Sequence, residues 1–86
     1  MNEYSKLLKQ EAFTNQKIFW DVKDINNLSD KSIVERILLY GNIQQFRNIV
    51  KNLTEFEKIY NQIKSGRNSL TPIVKNYVDK YVQYYS

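Results

Sequence analysis

The chain contains no cysteine and no histidine. Without cysteine there is no disulfide framework and no thiolate nucleophile, so stability has to come from packing. Without histidine, the commonest zinc ligand and the usual general base are both missing. Glycine occurs twice and proline once in 86 residues. Gly41 and Gly66 stand apart from each other, which excludes a glycine-rich phosphate loop. Apolar runs are only a few residues long, far short of the ~20 that span a bilayer, and the N-terminus lacks the apolar core of a signal peptide. A cytoplasmic protein is the expectation.

Catalytic groupings are scarce as well. Glu55 and Glu57 are two residues apart and lie on different sides of a helix, while Asp21 and Asp24 flank an expected turn. No serine or threonine stands at a recognisable spacing from a lysine or carboxylate base. The chain is therefore expected not to be an enzyme and to hold neither metal nor cofactor.

What is present is a basic, helix-forming sequence. Lysine and arginine outnumber aspartate and glutamate 13 to 9. Residues 1–42 carry six of each sign, so the net charge of +4 belongs to residues 43–86. The length suits one small domain.

The clearest segment is Ser29 to Asn42. Ser29 is a natural N-cap, Leu28 can staple against Ile33, and Gly41 is expected to end the helix in a left-handed conformation. Ile33, Val34, Ile37, Leu38 and Tyr40 share one side, with Glu35 and Arg36 on the other. Leu39 points into the polar half, as in a helix covered on two sides; the alternative is a partner contact.

Before this segment, residues 1–18 have a weak pattern that predicts an N-terminal arm or short helix, with the helical domain proper at residues 19–86. Ile18-Phe19-Trp20-Asp21-Val22 is read first as a plug closing one end of a bundle. Its alternative is an aromatic anchor for a partner.

After Gly41, Asn42 with Gln45 predicts an amide version of the capping box. Ile43, Phe46, Ile49, Val50 and Leu53 form the apolar arc of the next helix. The opposite arc, Gln44, Gln45, Arg47, Asn48 and Lys51, has no acid and carries residue types suited to base edges and phosphates. Thr54 with Glu57 predicts another capping box, followed by Phe56, Ile59, Tyr60 and Ile63 at helical spacing. Thr71-Pro72 opens the last helix, with proline where no N–H is missed.

That last helix places Ile73, Val74, Tyr77, Val78, Tyr81, Val82, Tyr84 and Tyr85 over about half its circumference. Either it is central, touched by two neighbours, or part of its face awaits another chain. The whole predicts an all-α fold, a compact bundle of four to five short helices, with the C-terminal helix in the core.

Two groups of residues carry a resemblance. Phe19-Trp20-Asp21-Val22, followed after a spacer by Ile33-Val34-Glu35-Arg36-Ile37-Leu38 and Tyr40-Gly41, resembles a family of small bacterial helical proteins that pair an FWDV segment with an IIERVLxYG helix. Arg67, Leu70 and Thr71-Pro72 look like the stretch before that family's last helix. Members commonly lie beside nucleotidyltransferase-like toxins of the abortive-infection class and are taken to be their antitoxins.

The resemblance implies a non-catalytic antitoxin that binds and neutralises such a toxin. The expected partner contacts are Phe19, Trp20, Arg36, Tyr77, Tyr81, Tyr84 and Tyr85. An inhibitor that mimics nucleic acid should be acidic. This basic chain would instead meet the toxin's carboxylates or contact operator DNA. The alternative function is a small helix-turn-helix regulator that binds DNA through Gln44, Gln45, Arg47, Asn48 and Lys51.

Overall fold

Four helix starts are written in one or two polar side chains. The computed structural model describes residues 3–66 and 70–85, and among them five α-helices form: α1 (Glu3–Thr14), α2 (Asp30–Tyr40), α3 (Ile43–Ile49), α4 (Leu53–Ser65) and α5 (Pro72–Tyr85). Two 3₁₀ turns, Gln16–Phe19 and Ile25–Asn27, lie between α1 and α2. No strand occurs among the described residues, and no helix there is long and apolar enough to cross a membrane. Arg67 lies outside the described residues.

The Ser29 hydroxyl accepts from the Ser32 N–H at 3.2 Å, capping α2 as expected. Asn42 and Gln45 form the complete reciprocal box at the start of α3, with both hydrogen bonds at 2.9 Å. Thr71 caps α5 through the Val74 N–H at 3.2 Å.

The start of α4 differs from expectation. Asn52 is the N-cap, accepting from the Glu55 N–H at 3.3 Å, and Thr54 lies inside the helix. Cap-like pairs overlap here, and the earlier one prevails because Leu53 is partly buried against the core.

Gly41 ends α2, but with φ −79° and ψ 172°. This is extended backbone that any residue can adopt, so the left-handed expectation fails. Glycine is required by crowding instead: a Cβ would stand 2.6 Å from the Ile37 carbonyl oxygen and 2.6 Å from Oε1 of Gln45.

The core is built by Leu8 and Ala12 of α1, Phe19, Ile33, Val34 and Ile37 of α2, Phe46 and Ile49 of α3, and Phe56, Tyr60 and Ile63 of α4. Of the two readings of the N-terminal stretch, a helix is what forms over Glu3–Thr14, and it packs into the same core, with Tyr4 and Ser5 also buried. The Tyr4 hydroxyl donates to the Ile49 carbonyl at the end of α3, and Ser5 donates to Asp30 at the start of α2. Leu39 packs partly buried against the core, while Tyr40, expected on the apolar side, is exposed.

Helix α5 departs most from expectation. Of its residues only Val78 is fully buried, with Val74, Tyr81 and Val82 packed partly against the core. It lies on the outside of a core made by α1 to α4, so the reading of a central C-terminal helix is wrong. Two polar links hold it to α4: Tyr60 donates to the Lys75 carbonyl at 3.2 Å, and Lys64 pairs with Asp79 at 3.1 Å. The radius of gyration, 12.1 Å, matches the roughly 12 Å expected for a folded chain of this length, so α5 is docked.

Candidate functional site

One flank of α5, between its core side and its polar outer side, is apolar and uncovered. Ile73 is 82% exposed and Tyr84 is 80% exposed, with Tyr77 and Tyr85 about half to two-thirds open. Val74, Val78 and Val82 turn toward the core, which leaves Ile73, Tyr77 and Tyr84 on an adjoining arc of the same helix, while Tyr85 continues the valine line at the open C-terminal end. The tyrosines are not independent of one another. Tyr81 and Tyr85 have ring centroids 4.6 Å apart, and Tyr84 meets Tyr85 edge to face at 4.8 Å.

Phe46 joins this surface to the interior. Its buried ring lies 6.1 Å from Phe56 on the core side, and 5.4 Å from Tyr77 and 4.9 Å from Tyr81 on the α5 side. A groove of ≈ 300 Å³ opens beside it between α2, α3 and α5. Ile37, Phe46 and Val78 form its floor, with Ile43, Ile73 and Tyr77 on its walls. The sequence pattern placed Ile43 on the apolar arc of its helix and Ile73 on a face read either as packed or as awaiting another chain; their exposure follows from where α5 docks, which no local pattern encodes.

The FWDV segment splits into an inside and an outside. Phe19 is buried, while Trp20, beside it, is 83% exposed, so the plug expected of this segment is made by Phe19 without Trp20. Arg36 of α2 binds the segment from above. Its guanidinium forms an ion pair with Asp21, donates to the Ile18 carbonyl at 3.3 Å, and sits 5.6 Å above the Phe19 ring. The hydrogen bond from Arg36 holds the Asp21 carboxyl below the usual carboxylate range. Phe19 and Arg36 are thus occupied inside the molecule, whereas Trp20 faces solvent. Trp20 and Tyr40 line a recess with Arg36 at the C-terminal end of α2.

The tight α2–α3 connection, Gly41-Asn42, brings the polar arc of α3 to the surface, though not all of it is free. Gln45 is committed to the capping box and also donates to Asn15. Gln44 donates to Asn48 at 3.2 Å. Arg47 and Lys51 remain exposed, without an ion-pair partner among the described residues.

Among the described residues no three histidine, cysteine, aspartate or glutamate side chains cluster as metal ligands would. Comparison with known proteins finds no matching family model, no matching curated protein and no matching solved structure.

Proposed function

We propose that this chain is a non-catalytic antitoxin, which binds and neutralises a nucleotidyltransferase-like toxin encoded beside it. The observation that carries the reading is the uncovered apolar arc of α5, Ile73, Tyr77 and Tyr84, continued at the helix end by Tyr85, on a domain whose core is complete without it. A soluble domain rarely keeps tyrosines and an isoleucine together on one exposed helix face unless a partner covers them. Tyrosine and tryptophan are also the side chains in which binding energy concentrates. The class of partner comes from the resemblance carried by Phe19 to Val22 and Ile33 to Gly41.

Co-expression with the adjacent open reading frame, followed by pull-down and a growth-rescue assay, tests the proposal. Co-purification together with restored growth is the expected result. Failure of both refutes it. Sequence-specific DNA binding that weakens steeply with salt and is relaxed by Arg47→Ala would favour the helix-turn-helix alternative.

A further inference from the structure

We infer that the groove between α2, α3 and α5 is the docking site for an amphipathic helix of the partner, and that this helix carries carboxylates along its flanks. This rests on the protein-binding reading above and adds the surface used and the chemistry it selects. Along α5, Ile73, Tyr77, Lys80 and Tyr84 follow one another at steps of four, three and four, the spacing of a helix-packing seam. The helix has 14 residues, about 21 Å, enough for two heptads of contact. The groove lies at the Ile73–Tyr77 end of the seam. Its ≈ 300 Å³ is at the lower limit for a small-molecule site and opens along α5, which suits side chains projecting from a docked helix.

The charges then select the occupant. Lys80 stands within the seam, so a helix covering the tyrosines packs on its methylenes and holds its ammonium at the edge of the contact. A carboxylate on the flank of that helix meets it there, whereas a second cation is repelled. Arg47 lies one turn beyond the groove-lining Ile43 on α3, and α3 contains no acid. Neither Arg47 nor Lys80 has an ion-pair partner among the described residues, and the acid next to Lys80, Asp79, is paired with Lys64 of α4. A second copy of this chain fits poorly. Parallel pairing of two seams sets Lys80 against Lys80, and antiparallel pairing sets it against Tyr77, in both cases without a carboxylate.

The test uses the full chain, ¹⁵N-labelled, titrated with two synthetic peptides of about three heptads. Both carry leucine at the seam positions; one has glutamates on its flanks and the other lysines. The glutamate peptide is expected to shift the amides of Ile43, Phe46, Ile73, Tyr77 and Lys80 and to bind at least tenfold more tightly than its twin. In the double variant Arg47→Glu, Lys80→Glu, checked for an unchanged helical spectrum, the order should invert. Equal affinities, shifts confined to other helices, or self-association abolished by Tyr77→Ala would overturn the inference. The peptides contain nothing of a toxin, so failure here leaves toxin neutralisation to the co-expression test, and failure there leaves the groove chemistry standing.

Discussion

At residue scale, neighbours in the sequence have opposite roles. Phe19 is buried under Arg36 and Trp20 is not, so truncation should separate them. Phe19→Ala is expected to cost about 3–5 kcal/mol, and Trp20→Ala to stay within about 0.5 kcal/mol, both read from urea unfolding. Gly41→Ala should destabilise by roughly 1–3 kcal/mol, because one of the two atoms its Cβ would meet at 2.6 Å is the backbone oxygen of Ile37, which cannot swing aside. A left-handed turn at Gly41 would predict instead that Asn is tolerated better than Ala, and equal losses for the two would support crowding. Two buried phenols govern the alkaline side. Burial, reinforced by the Asp30 and Glu55 carboxylates, raises the Tyr4 pKa, and burial with Asp79 raises that of Tyr60. An unfolded tyrosine ionises near pH 10, before the folded one does. The folded state then holds more protons, so this contribution to stability is intact below about pH 10 and declines as pH rises further. Unfolding midpoints followed from pH 8 to 11 should fall above 10, and less so in Tyr4→Phe relative to that variant's own neutral value.

At the scale of elements, the caps offer a direct comparison between neighbouring residues. Asn52→Ala should cost about 1 kcal/mol by leaving the Glu55 N–H without its side-chain acceptor, whereas Thr54→Ala, exposed within α4, should be nearly neutral in thermal unfolding. Segments whose signal is wholly local were legible in the sequence. Phe56, Ile59, Tyr60 and Ile63 occupy the buried line of α4, and the Asn42–Gln45 and Thr71–Pro72 starts form as expected. Helix α1 was obscured because its buried line is Tyr4, Leu8 and Ala12, and an alanine adds little to an apolar pattern in which Glu11 stands beside it. The position of α5 was illegible for a different reason. A helix that is apolar over half its circumference has the same periodicity whether two neighbours cover it or one neighbour and a partner. The Arg36–Asp21 pair likewise left no trace, since its members are 15 residues apart and belong to different elements. Of the candidate site, the tyrosines of α5 were legible as a group, but the groove was not, because it exists only where three helices meet.

At the scale of the whole molecule, the division between an enclosed core and an uncovered helix face predicts that folding and binding can be altered separately. Ile33, Ile37, Phe56 and Ile63 hold the domain together, Tyr84 lies on its outer surface, and Tyr77 is half-open against Phe46. A change at Tyr84 should leave the core undisturbed, whereas one at Tyr77 also removes a ring packed on Phe46. Net charge of +4 concentrated in residues 43–86 further predicts that association with an acidic partner surface accelerates as salt is lowered, most visibly in the on-rate. The most direct measurement is calorimetric titration of the proposed toxin partner with the wild-type chain and with Tyr77→Ala and Tyr84→Ala, alongside thermal unfolding of each variant. The account predicts a stoichiometric complex, a loss of roughly 2 kcal/mol or more in at least one variant, and little change in the temperature of unfolding for Tyr84→Ala. No complex with the wild-type chain, or an affinity untouched by both substitutions, would contradict it.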